Sequence, residues 1–135
     1  MKCEKLEVWK ISARLLADVY KLLSSLKDFG FKDQITRAGL SIPSNIAEGM
    51  EKESIKDQIR FLDIAKGSTA EFATQTYIAM DIKYIDKENG KIFIEKSNQI
   101  LAMLTKLQQT LKGKLKQWKK IITLHTQHLT LNQSV

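Results

Sequence analysis

A chain of 135 residues, 43% hydrophobic and 27% charged, can build one hydrophobic core without disulfides or a metal to hold it. Its one cysteine, Cys3, rules out an intramolecular disulfide, and charged residues interrupt every apolar run well short of the ~20 residues of a membrane span. The formal net charge of +7 sits at one end: no acidic residue follows Glu95, whereas Lys106, Lys112, Lys114, Lys116, Lys119 and Lys120 do. With no apolar leader core at the N-terminus, the expectation is a cytoplasmic protein without a membrane partner, and Cys3 is expected to lie idle at a frayed end.

In chain order, Leu6 to Leu26 reads as a first helix, because Trp9, Ala13, Leu16, Tyr20 and Leu23 recur at spacings of three and four. A second apolar row, Val8, Ile11, Leu15, Val19, Leu22 and Leu26, lies beside the first, and the two together leave only a narrow polar strip. A helix facing one core needs a narrower stripe, so this one has apolar surface left for another contact. Asp28-Phe29-Gly30 reads as a turn. A second helix is expected from Lys32 to Glu48, with Gly49 as a left-handed terminating residue and a kink between Gly39 and Pro43, because proline cannot donate to the carbonyl four residues back. Ser41 and Ser44 stand beside that site with hydroxyls that could serve the freed backbone groups.

Ser54, with Asp57 three residues on, opens a third helix, and Ile55, Ile59, Leu62, Ala65, Thr69, Phe72, Thr76 and Met80 form its inner stripe. Ile64, Ile78 and Ile82 lie on the back with Glu71, a second apolar surplus. Asp86 caps a fourth helix, whose stripe runs Phe93, Ile100, Leu104, Leu107, Leu111, Leu115, Trp118 and Ile122. The polar residues 123–135 read as a frayed tail after a domain of residues 1–122. Four amphipathic helices on short connections give an all-α, antiparallel up-down-up-down four-helix bundle with a kinked second helix.

Chemistry is sparse. There is no glycine-rich phosphate loop, no paired-cysteine pattern and no zinc helix, so neither an enzyme nor a cofactor or metal is expected; His125 and His128 are two ligands without a third. Glu48 and Glu71 could act as acid or base only if buried, and Arg37 with Glu71 is read instead as a possible buried ion pair. Lys112, Lys116, Lys119 and Lys120, with Lys106 below them, form a basic stripe suited either to a phosphate backbone or to ordinary solvation. Tyr20, Tyr77 and Tyr84 are not interleaved with these lysines, so no base-stacking platform is expected.

The string Ser41-Ile42-Pro43-Ser44-Asn45-Ile46-Ala47-Glu48-Gly49 resembles the signature of the four-helix bundle proteins encoded in intervening sequences of bacterial 23S ribosomal RNA genes. Leu6-Glu7-Val8-Trp9, Gln34, Arg37-Ala38, and Phe61 through Ser68 with Glu71 extend the likeness over Leu6 to Leu111. The chain departs from the family pattern at Lys32, Thr36 and Gly39, where a capping hydroxyl, an arginine and an alanine are common. The resemblance implies a bacterial homopentamer without enzymatic activity that binds structured RNA or associates with ribosomes. A similar bundle serves as the accessory protein of diversity-generating retroelements, binding nucleic acid and a reverse transcriptase, so a protein scaffold is the alternative. Within such an oligomer, Val8, Ile11, Leu15, Val19, Leu22, Ile64 and Ile78 are expected at the interface. Pro43, with Ser41, Asn45, Glu48 and Gly49, is expected to be structural.

Overall fold

The computed structural model describes residues 1–133: a short 3₁₀ helix, Lys2–Lys5, precedes four α-helices, α1 (Glu7–Leu22), α2 (Phe29–Met50), α3 (Ile55–Asp81) and α4 (Lys87–Gln133). Each helix packs on the next and α1 returns to α4, which makes the up-down-up-down bundle. The α2–α3 seam is the most extensive and the α1–α4 seam the least.

Local chemistry starts the helices where acids and hydroxyls stand. Ser54 Oγ accepts from Asp57 N–H (3.1 Å), and Asp86 Oδ2 accepts from Asn89 N–H (3.0 Å). Asp28 is the cap of α2 rather than part of a turn before it: its Oδ1 accepts from Phe31 N–H at 3.1 Å, which makes Phe29 and Gly30 the first helical turn. The Tyr84 hydroxyl donates to Asp28 Oδ2 (2.8 Å) while Phe31 and Tyr84 meet edge to face at 5.4 Å, so the α3–α4 turn is tied to the start of α2.

Helix ends differ from expectation at two places. Gly49 does not terminate α2; the helix runs on to Met50, and no glycine of the described residues has a positive φ. Gly49 is there for packing, since a Cβ at this position would stand 2.9 Å from Phe61 Cβ on α3. The left-handed stop belongs instead to Lys83 (φ 63°), with Tyr84 N–H donating to the Ala79 carbonyl and Lys83 N–H to that of Met80. That is the pattern of a glycine-type helix end carried by a lysine.

The core is apolar with hydroxyls set into it. Leu23, Ile35, Ile42, Ile46, Leu62, Phe72, Ile85, Ile100 and Leu104 are fully enclosed, and Thr36, Thr69, Thr76 and Ser97 are buried among them. Each of these hydroxyls donates to the carbonyl four residues back on its own helix, so none is left unpaired. The inner face of α1 and its C-terminal cap combines Val8, Leu15 and Val19 of one expected row, Leu16 and Leu23 of the other, and Ser12 of neither, while Tyr20 and Leu22 face outward. Cys3 is fully buried on the inner side of the 3₁₀ helix, whose Lys2 N–H donates to Glu51 Oε1 (3.0 Å); the N-terminus is docked, not frayed.

The C-terminal segment also departs from expectation. Residues 123–133 continue α4 as helix; residues 134 and 135 of the expected tail lie outside the described residues. Nucleation dominates the cost of a helix, and the bundled half of α4 has already met it, so propagation needs only the absence of a breaker. Neither Gly nor Pro occurs after Gly113, and Thr123, Thr126 and Thr130 each return their hydroxyl to the carbonyl four residues back.

The seams and stops lend themselves to two stability experiments. Gly49→Ala should destabilise the bundle by about 1–3 kcal/mol through overpacking against Phe61, whereas Lys83→Gly should stabilise it by about 1 kcal/mol by relieving the left-handed lysine. Chemical denaturation of both variants reads the two signs. A pH series tests the Asp28–Tyr84 tie. The Tyr84 hydroxyl and then the Phe31 N–H hold the Asp28 carboxyl below its ordinary pKa, and the same bond holds the Tyr84 phenol above its own. A lowered carboxyl pKa contributes stability that is present above the unfolded value of about 3.9 and lost as the pH falls through the folded one. The raised phenol contributes below about pH 10 and loses it as the pH rises through its folded value. Tyr84→Phe should therefore cost stability at neutral pH, and the difference from wild type should vanish in acid.

Candidate nucleic-acid interface

α4 has 47 residues against 27 in α3 and 16 in α1, so at ~1.5 Å per residue it outruns both partners. Its last buried side chain is Leu111. Leu115 and Trp118 line a surface hollow together with Glu53, Ser54, Ile55 and Lys56 at the start of α3, and beyond them every described side chain is exposed. The result is a free helical arm that continues the phase of the core stripe.

On this arm Lys112, Lys116, Lys119 and Lys120 fall within one arc, at intervals of three and four residues, as expected from their spacing. All four are exposed, and no ion pair among the described residues engages them; the five ion pairs found there are short-range pairs elsewhere, such as Arg14 with Asp18. Lys106 does not join the group: it lines the α1–α4 seam beside Leu6, Glu7 and Val8, more than a turn away along the helix.

Three further cations stand around the start of α3, which the sequence did not signal. Lys52 Nζ lies 4.9 Å and the Arg60 guanidinium 5.0 Å from the centre of the Phe61 ring, and Lys56 borders the hollow that Leu115 and Trp118 share with α3. No sequence spacing links Lys56 to the arm; the antiparallel fold does so, with Glu53 on the same hollow, while Arg60 also pairs with Asp57 Oδ1 at 3.7 Å.

Other candidate residues fall into different places. Arg37 and Glu71 do not form a buried pair. Both are exposed, and Arg37 Nη2 meets Asp33 Oδ2 at 2.9 Å on its own helix, one turn back, a contact that needs no second element. Ser41 Oγ is hydrogen-bonded to Ser68 Oγ of α3 (2.8 Å) and accepts from Asn45 Nδ2 (2.8 Å), so it bridges two helices and does not serve the Pro43 gap; Ser44 and Glu48 are exposed. Pro43 itself is buried inside an unbroken α2. Val8, Leu15 and Val19 belong to the monomer core and cannot form a surface for another subunit, while Ile11 is half-buried and Leu22, Ile64 and Ile78 are exposed. Tyr77 and Ile82 extend the exposed back of α3.

One polar cluster escaped sequence reading. Gln108, buried at a core position of α4, donates to Asp63 Oδ1 (2.7 Å) and to the Ile59 carbonyl, and accepts from Lys66 Nζ (3.2 Å). It locks α4 to α3 close to the base of the arm. Among the described residues no group of three His, Cys, Asp or Glu side chains could hold a metal ion, and no helix is long and apolar enough to cross a membrane. His128 meets Asn132 on the arm at 3.2 Å.

Comparison with known proteins agrees with this architecture. A solved structure from Bacteroides thetaiotaomicron VPI-5482, a protein of unknown function from the S23 ribosomal protein family, superposes with a TM-score of 0.70 at 28% identity, over 75% of this chain and 97% of the other. No curated protein matches the chain. Residues 4–106 match the family described as 23S rRNA-intervening sequence protein. With that match spanning the end of the 3₁₀ helix, α1, α2, α3 and most of the bundled part of α4, the chain belongs to the 23S rRNA-intervening sequence protein family.

Proposed function

We propose that the chain is a non-enzymatic, homo-oligomeric bundle of the bacterial cytoplasm that binds structured RNA or associates with ribosomes through the lysines of α4. The observation that carries this reading is the arc of Lys112, Lys116, Lys119 and Lys120 on the stretch of α4 that leaves the bundle, which carries no acid. Phosphates would meet several ammonium groups in line, and no carboxylate on the arm competes for them. The family's name ties its members to ribosomal RNA, although these four lysines lie beyond the matched residues 4–106 and belong to this chain's own extension. Lys106 contributes from the seam, and Lys52, Lys56 and Arg60 widen the basic end. Without a glycine-rich or aromatic reader beside the lysines, binding is electrostatic and weakly sequence-specific.

Titration of a labelled structured RNA at two salt concentrations tests this site. Affinity should fall steeply with salt, and replacing the four lysines by Gln should weaken binding and reduce the salt slope by about three. Equal affinity of the two proteins, or binding indifferent to salt, defeats the assignment.

Oligomerisation is supported by exposed apolar side chains that the monomer leaves uncovered. Leu22 of α1 and Ile64, Ile78, Tyr77 and Ile82 at the back of α3 supply them, and by family resemblance the closed form is a pentamer. A ring would repeat the lysine arms by symmetry, so weak single sites would hold one long polyanion at several points. Ile78→Glu should lower the mass measured by light scattering while leaving helix content intact, because this side chain takes no part in the monomer core. A wild-type monomer at tens of micromolar would remove the proposal.

A further inference from the structure

The core stripe of α4 does not stop where the bundle stops. Leu104, Leu111 and Trp118 succeed one another at seven-residue intervals, and Leu115, Ile122 and Leu129 do the same beside them, while polar His125 and Asn132 take the next places of the first row. Up to Leu111 this face is buried against the other helices; past Leu115 the same face is bare, with Trp118 59%, Ile122 48% and Leu129 47% exposed. A seven-residue apolar repeat in register with a packed core is the seam on which another helix lies. This part of α4 falls outside residues 4–106, which match the family, so it is an addition to the matched bundle.

Charge around the seam selects the occupant. Lys112 and Lys119 border it on one side and Lys114 on the other, in the flanking positions that set partner choice in paired helices. A second copy in parallel would bring Lys114 against Lys119 of its twin. An antiparallel copy would set no acid against the lysines either, because no acidic residue follows Glu95. A helix with apolar residues along one face and glutamates or aspartates on its flanks satisfies both features at once: it covers Trp118, Ile122 and Leu129 and pairs with Lys112, Lys114 and Lys119. We propose that the arm of α4 beyond Leu115 is a docking site for an acidic amphipathic helix of another protein. This goes beyond the RNA reading, which uses the lysine arc and has no need of the apolar seam or of Lys114.

Anisotropy of a labelled synthetic peptide tests the site on the full chain. Two peptides are compared, both with leucine and isoleucine in a seven-residue apolar repeat, one flanked by glutamates and the other by lysines. The glutamate peptide should bind and the lysine peptide should not. Ile122→Asp should weaken the glutamate peptide at least about tenfold, the loss expected from one buried aliphatic side chain. Replacing Lys112, Lys114 and Lys119 by Glu should reverse the preference between the peptides. Equal binding of both peptides, binding of neither, or indifference to Ile122→Asp overturns the proposal. So does a fall in wild-type mass on Ile122→Asp, which would show that a second copy already covers the seam. Loss of RNA binding alone would overturn the RNA reading and leave this one standing.

Discussion

Close approach of α2 and α3 is the constraint on which the rest of the bundle depends. Two glycines make it possible: Gly49 lies against Phe61, and Gly39 lies where a Cβ would meet Phe72 of α3 and the tip of Leu16 of α1. Between them the hydroxyls of Ser41 and Ser68 join across the seam at 2.8 Å, a contact that only short side chains can reach. Thr69 and Thr76 on α3 turn their hydroxyls back to their own helix, so small polar residues enter the core without an unpaired group. α1 and α4 then complete the bundle on either side of this pair. The Ser41 to Gly49 string is conspicuous in the sequence because it carries the tight seam, and Pro43 sits inside it as a buried apolar residue.

Much of this was legible from spacing alone. The fold class, the caps at Ser54 and Asp86, the inner stripe of α3 and its apolar back all come from periodicity and hydroxyl or carboxylate placement. The features that were not legible have physical causes. Glycine near a helix end signals either a left-handed stop or a close contact, and at Gly49 the contact applies while Lys83, which nothing marks out, takes the left-handed stop. Two interleaved apolar rows on α1 do not say which arc faces inward; Ser12, which donates to the Trp9 carbonyl and so enters the core, shifts the answer toward Val8, Leu15 and Val19. Arg37 and Glu71 invited pairing across helices because their chemistry is complementary, but the local partner Asp33 was already one turn away. Gln108 was hidden for the opposite reason, since a polar residue at a core period reads as an interruption until Asp63 and Lys66 are seen beside it.

The candidate site divides along the same line. Its lysine arc was readable because residue numbers three and four apart share a face of any helix. That the arc stands on a projecting arm was not readable, because a stripe that continues past the bundle looks in sequence like a longer core. The cations around Phe61 belong to a surface assembled by antiparallel packing, which brings the start of α3 beside the departure point of α4. Folding and recognition are thereby assigned to different stretches of one helix: Phe93 to Leu111 hold the bundle, and the residues beyond Leu115 are free to meet something else.

The docked N-terminus gives the molecule a clock. Cys3 is its only thiol and is wholly enclosed, on the inner side of a short helix that one backbone hydrogen bond to Glu51 and the contacts with α1 and α2 keep in place. A thiol-modifying reagent cannot reach it until that segment lifts, so the modification rate in native buffer reports local opening at this edge rather than unfolding of the whole. Any event that loosens or tightens the pairing of residues 1–6 with α2, including assembly with other subunits, becomes measurable as a change in the reaction half-time of a single sulfur.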